Sequence, residues 1–433
     1  MENTVDLEKT VTKLDTEPTE AHVQNKHEHV FTDGGAKAWL TVFGGFCALF
    51  STFGWSNAIG VFQDYYETHQ LAHLSSSTIG WIASLQLFIL FFCGIIVGRL
   101  FDALGPHLLL PVGAVLEVLG LMMTSICHTY GQILVCQGLI APIGASLVFY
   151  TAVASIPTHF HKKRGLAMGI ASSGSSLGGT IFPIMVLRLT QQTSFGWTMR
   201  ACAFLILGLL TISCLTITSN AKHSGFNMIR PSDLVRHFGD IHFSILAAGF
   251  TFTFWGLFIP FDFITSSARH FNIDTDMATY LVSILNGVSI VSRISMGFVA
   301  DKLGRYNVNT AGITLAGIVV FVLWMPSTGL APYIVFAVFY GFSSGTFISL
   351  GPACCAQISE VKDIGTRVGL MFAVGSIGSL TGIPICGAII GDGTSRQRWL
   401  GTMAFAGAMI LIGSFFTGLG RVKKVGFDPR KIF

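Results

Sequence analysis

Gly98-Arg-Leu-Phe-Asp102-Ala-Leu-Gly105 and Gly297-Phe-Val-Ala-Asp301-Lys-Leu-Gly304 are two copies of one pattern, Gly-x-x-x-Asp-x-x-Gly, set 199 residues apart. A second pair, Gly174-Ser175 with Pro183 and Gly375-Ser376 with Pro384, recurs at an offset of 201. Two independent motifs at nearly one offset indicate a duplicated unit whose copies run in parallel orientation. In each copy the glycines would let a short loop turn tightly. The aspartate could accept hydrogen bonds from backbone N–H groups at a neighbouring helix N-terminus.

Both copies follow an apolar run, and spanning a bilayer takes about 20 such residues. Working outward, twelve runs appear, near 38–60, 77–97, 107–127, 131–155, 165–187, 197–218, 241–264, 277–298, 308–326, 331–356, 366–390 and 398–420. The longest internal polar stretch, Ser219 to Asp240, divides them six and six. The chain therefore reads as an all-α membrane protein: a tail (1–36), a six-helix bundle (37–218), a linker (219–240), a second bundle (241–420) and a short tail (421–433). Composition agrees, since 51% of residues are hydrophobic and only 11% charged. A soluble protein carries roughly a quarter charged. The mean hydropathy is +0.65.

Charge fixes the orientation. With the N-terminus in the cytoplasm, twenty Lys and Arg fall on the cytoplasmic side and five (Arg188, Arg200, Arg269, Arg396, Arg398) on the other. That bias puts both termini in the cytoplasm. The 1–36 segment is polar and acidic, lacks the apolar core of a signal peptide, and reads as disordered. Its His22, His27 and His29 read as solvated rather than metal-binding. The nine cysteines sit in apolar runs without metal-ligand spacing, so they read as packing residues and no metal or other cofactor is expected. Scattered basic residues make nucleic acid a poor partner. Gly174-Ser-Ser-Leu-Gly178 fits a hydrolase nucleophile pattern, but it lies inside an apolar helix where no strand-turn-helix elbow can form. No phosphate-binding loop or HExxH motif supports an enzyme or ATP-driven pump.

The Gly-x-x-x-Asp-x-x-Gly pair resembles the major facilitator superfamily, and the resemblance covers the whole membrane region. It implies two pseudo-symmetric six-helix bundles that rock about a central site. On that reading Arg99, Asp102, Asp301 and Arg305 form part of a cytoplasmic gate. Three further segments resemble the fungal branch of the monocarboxylate transporter family: Asp33-Gly-Gly-Ala-Lys-Ala-Trp39, Gly60-Val-Phe-Gln-Asp-Tyr-Tyr66, and His159-Phe-His-Lys-Lys-Arg164-Gly-Leu-Ala-Met-Gly169. That family implies carriage of small monocarboxylates, often with a proton. Arg293 matches its helix 8 arginine, which holds the substrate carboxylate. A guanidinium inside a membrane span needs a cavity or an anionic partner, although it can also snorkel.

Two departures loosen the substrate. Asn57 stands where the family has a helix 1 lysine, and Ser289 where it has an acid one turn before Arg293. A bulkier or neutral solute then becomes plausible. Glu117, amid Leu116, Val118 and Leu119, is a proton-coupling candidate or, equally, a packing partner. Helices 1, 4, 7 and 10 line the path in this fold and supply Trp55, Asn57, Tyr150, Phe254, Trp255 and Tyr340; Asn286 and Gln86 could donate hydrogen bonds. Asp262 could meet an entering solute.

The expected function is secondary active transport of a small organic solute, a monocarboxylate or related metabolite, by alternating access with possible proton coupling. The alternative is an efflux pump for a fungal secondary metabolite or toxin. A non-transporting nutrient sensor and a membrane enzyme rank behind both. The expected setting is the plasma membrane, with the protein working as a monomer.

Overall fold

The computed structural model describes residues 33–221, 231–391 and 395–426. Residues 1–32 of the expected 1–36 tail, most of the linker's first half and the end of the C-terminal tail therefore lie outside the described residues. Among the described residues twelve helices are long and apolar enough to cross a membrane. They are α1 (Ala36–Phe62), α2 (Thr78–Leu104), α3 (Pro106–Thr124), α4 (Tyr130–His159), α5 (Arg164–Gln192) and α6 (Phe195–Thr216) in the first half. The second half holds α7 (Ile241–His270), α8 (Tyr280–Leu303), α9 (Arg305–Trp324), α10 (Leu330–Gln357), α11 (Val361–Ile390) and α12 (Arg396–Val425). A short helix, Pro231–His237, precedes α7. Side chains such as Leu215, Phe415, Trp197 and Ile126 stay exposed on the outer faces, as lipid-facing residues should.

One sequence expectation is corrected. The Gly-x-x-x-Asp-x-x-Gly motif is not a loop: Gly98 to Leu104 are the last turns of α2, and the corresponding residues end α8. Only the final glycines turn the chain, Gly105 at φ 74° and Gly304 at φ 93°, a left-handed conformation that residues with a Cβ rarely adopt. The leading glycines serve helix contact instead. A Cβ on Gly98 would lie 2.1 Å from the Gly365 carbonyl oxygen of α11, and one on Gly297 would lie 2.4 Å from that of Gly165 on α5. Gly369 and Gly169 continue these seams, each with a carbonyl oxygen (Gly94, Arg293) within 2.1 Å of a would-be Cβ. Each half thus lays its motif helix, α2 or α8, against α11 or α5 of the other half, backbone to backbone.

Several helices are interrupted where they approach the centre. The α1 ladder breaks at Thr52 and again at Asn57. In α7 it breaks at Phe258, two residues before Pro260. Pro142 cannot bond the Gly138 carbonyl, and α4 accommodates this with a π-turn at Cys136–Ile140. Between the halves the centre is filled by aromatic rings. Phe53, Phe91 and Phe149 of the first half meet Phe254, Phe258 and Phe372 of the second. Phe91 stacks on Phe372 with ring centroids 5.5 Å apart and meets Phe254 edge-on at 5.3 Å.

Candidate functional site

At the face carrying the α2–α3 and α8–α9 turns, four aspartates hold α5 and α11. Asp102 accepts the backbone N–H of Gly365 (2.9 Å), that of Thr366 (2.6 Å) and the Thr366 hydroxyl (2.5 Å). Asp301 accepts the N–H groups of Gly165 and Leu166, both at 2.8 Å. These are the first turns of α11 and α5, where unpaired amides and the helix dipole favour a carboxylate. Both contacts cross between halves.

The other two aspartates act within a half. Asp33 accepts from the His161 and Lys162 amides at 2.7 Å each, pinning the α4–α5 turn to the start of α1; its own φ is 45°. Asp240 caps α7 through the His242 amide and accepts from Arg367 Nη1 at 2.9 Å. Burial raises the Asp240 pKa, but the Arg367 and His242 hydrogen bonds outweigh it and leave the carboxyl below its ordinary value. Arg305 donates to Asp301 and to the His161 carbonyl, so it bridges the halves. Arg99 is half-buried and within electrostatic range of His237. Burial lowers the His237 pKa first, Asp363 opposes, and Arg367, Arg99 and Arg236 add to the lowering.

Deeper in the membrane region, Arg293 of α8 is buried and does not reach toward the helix end. Its Nη1 donates to the Ser172 carbonyl and to the Ser175 hydroxyl of α5, both at 2.6 Å, while its Nε has no protein partner. Asn57 Nδ2 donates to the Ser175 carbonyl at 3.4 Å. Asn286 gives its amide N–H to Val282, and its Oδ1 is buried without a partner. A Cβ on Gly179 would sit 2.9 Å from Asn57 Nδ2 and 3.1 Å from Asn286 Oδ1, so α1, α5 and α8 bring Asn57, Asn286, Ser175 and Arg293 to one polar seam. Ser289 points elsewhere, donating to the Gly341 carbonyl of α10. A Cβ on Gly345 would come within 2.6 Å of its Oγ, so α8 and α10 pack closely at this point.

The remaining candidates disperse. Tyr150 donates to the Phe91 carbonyl and Tyr340 to the Leu257 carbonyl, both at 2.7 Å, which spends their hydroxyls on tying helices at α2 and at the α7 break. Trp255 donates to Thr381 of α11. Trp55 is buried inside the first bundle against Phe62 and Phe182. Glu117 is buried there too, without a partner for either oxygen. Asp262 is partly buried with one unpartnered oxygen. Sequence reasoning missed Ser172 and Ser175 as the partners of Arg293. It also missed Phe91 and Phe372, on helices 2 and 11, as part of the central cluster.

Two repeat-related aspartate latches across a duplicated helical bundle, with a polar seam and aromatic core between the halves, match a secondary transporter of the alternating-access class. The Major Facilitator Superfamily model matches residues 44–261 and 241–431, and the chain belongs to that superfamily. It is 43% identical over 398 residues to the MFS transporter asaE of Aspergillus flavus, covering 90% of this chain and 89% of that protein. It is 40% identical to the Fujikurins efflux protein of Gibberella fujikuroi (90% and 83% covered) and 38% identical to the Agnestins efflux protein AgnL12 of Paecilomyces divaricatus (90% and 89%). The human organic anion transporter MFSD10 superposes with a TM-score of 0.73 over 89% of this chain and 100% of that one, at 13% identity, a likeness of fold. The protein is a multi-pass membrane transporter of the major facilitator type.

Proposed function

We propose that this transporter exports a largely apolar organic metabolite by alternating access, with the bundles at 37–218 and 241–420 rocking about the aromatic centre. The observation that carries this reading is the centre itself: six phenylalanines from both halves converge where a solute must pass. Such a surface binds ring-bearing solutes through dispersion and offers little to a small hydrated anion. The efflux names of the relatives support the same direction of transport. The basic-residue bias supports cytoplasmic termini and, with them, a four-aspartate face toward the cytoplasm. The plasma membrane is then the membrane across which export is useful.

In this cycle Asp102 and Asp301 hold the cytoplasmic side closed and release α11 and α5 when it opens. Differential affinity of solute for the two arrangements shifts their populations. The segments 33–39, 60–66 and 159–169 resemble the fungal monocarboxylate-transporter branch, and one observation favours an acidic function on the cargo: Arg293 Nε is buried without a partner beside the polar seam. A metabolite bearing a carboxylate or acidic enol would satisfy it. The direct test is uptake into inside-out vesicles of aromatic organic acids, of their methyl esters and of lactate. Saturable accumulation of the aromatic compounds without lactate supports the reading; lactate uptake alone overturns it.

A further inference from the structure

Inside the first bundle, away from the polar seam, a small cavity of about 10 Å³ is lined by Thr52, Trp55 and Ser56 of α1, Gln86 and Leu90 of α2, Glu117 of α3, and Ala141, Pro142 and Ala145 of α4. That is about the room one water needs. Three polar oxygens near it are buried without protein partners: both of Glu117 and Oε1 of Gln86. The Gln86 amide donates to Ser56 at 3.4 Å. At Glu117, α3 and α4 meet backbone to backbone, and a Cβ on Gly144 would lie 2.2 Å from Glu117 N, which holds this residue's backbone beside the cavity.

The groups lining the cavity beside Glu117 from α1, α2 and α4 are hydroxyl, amide, indole and apolar side chains, and none of them is charged. The second bundle lacks any counterpart. Offsets of 199 to 201 from Glu117 land on Ala316, Gly317 and Ile318. The buried carboxyl is confined to the first half, next to a polar cavity.

We propose that Glu117, with Gln86, Ser56 and one water, forms a proton-binding site within the first bundle, read out through the broken segment of α1. In the step, the Glu117 O–H bond breaks, its electron pair stays on the carboxylate, and the proton passes to the water. The charged form then draws on hydrogen bonds from the water and the Gln86 amide, whose other N–H is given to Ser56; the Ser56 hydroxyl in turn donates to the Thr52 carbonyl at 3.2 Å. Ser56 lies in the short stretch between the α1 interruptions at Thr52 and Asn57. Asn57 bonds the Ser175 carbonyl, and Ser175 holds Arg293. A shift of Ser56 is thereby felt at the seam between the halves. The inference rests on the transport reading above and adds the coupling ion to it.

The test uses the full chain in lipid nanodiscs, with infrared difference titration of the protonated-carboxyl band and a spin-label distance between the bundles, both against pH. In wild type the band is lost on raising pH and the distance changes with the same midpoint. Glu117→Gln loses that component of the band, and its distance response shrinks at least tenfold, with the thermal melt retained. Gln86→Leu, which keeps the carboxyl, moves the midpoint by about one pH unit, roughly a tenfold change in proton affinity. A band component that persists in Glu117→Gln, or a wild-type band unchanged over the whole range, overturns the proposal. Vesicle export that survives such a result leaves the transporter reading intact and removes the proton site alone.

Discussion

Asp102 of α2 accepts both the amide (2.6 Å) and the hydroxyl (2.5 Å) of Thr366 at the start of α11, a contact between residues 264 positions apart on opposite halves. Its repeat mate Asp301 does the same for the first amides of α5. Each half therefore supplies a carboxylate and receives one. Hydrogen bonds involving a charged group contribute about 1.5–3 kcal/mol. Asp102→Asn and Asp301→Asn each keep an acceptor but lose charge. Each should raise the population open at this face by about tenfold, and the double variant should exceed either. Thiol labelling of a single cysteine placed on the buried side of α11 measures this; unchanged labelling in the double variant would contradict the latch.

The glycine seams make a sharper contrast. On α11, a Cβ at Gly369 would lie 2.0 Å from the Gly94 carbonyl oxygen, whereas one at Gly387 meets nothing within 4 Å. Overpacking costs about 1–3 kcal/mol, and here it falls only on the arrangement that joins α2 to α11. Gly369→Ala should cut transport at least tenfold while the protein still inserts and folds. Gly387→Ala should stay within twofold. Equal effects of the two would show that the α2–α11 contact is not part of the cycle.

Arg293 is held by one α5 residue's carbonyl and another's hydroxyl, and among the described residues it forms no ion pair. Arg293→Met keeps the volume and removes the donors. Loss of a buried charged hydrogen bond, about 2 kcal/mol, should lower export of an acidic solute about thirtyfold while sparing its methyl ester. Equal loss for both compounds in the vesicle assay would assign Arg293 to helix packing alone.

The Asp240–Arg367 pair predicts a pH effect. The folded-state pKa of Asp240 is lowered, so the stability it contributes is present above the ordinary carboxylate value and is lost as pH falls through the lowered one. The window lies below about pH 4. Thermal melts from neutral to acidic pH should show a drop in that window that Asp240→Asn removes. A wild-type curve that declines near pH 6 instead would assign acid sensitivity to another group.

Twelve spans, the repeat and the orientation bias were legible in the sequence because each depends on a one-dimensional quantity: run length, spacing or charge count. The motif aspartates were legible for the same reason, yet their setting was misread. Gly98 and Gly297 looked like turn residues, and only the helix that faces them across the bundle interface shows them to be contact residues. Arg293 could be singled out by its cost in a membrane, but its partners Ser172 and Ser175 lie more than a hundred residues away on α5, a distance no local pattern spans. Tyr150 and Tyr340 were chosen by helix number, and their hydroxyls turn out to be committed to backbone carbonyls. The central aromatic cluster was hidden by abundance, since with 37 phenylalanines the sequence cannot say which six converge.

The most direct test of the central claim is accumulation of aromatic metabolites in inside-out vesicles carrying wild type or the Asp102→Asn/Asp301→Asn double variant. The account predicts saturable accumulation by wild type that falls at least tenfold in the double variant. Accumulation no greater than in vesicles lacking the protein, across aromatic acids, their esters and lactate, would contradict it.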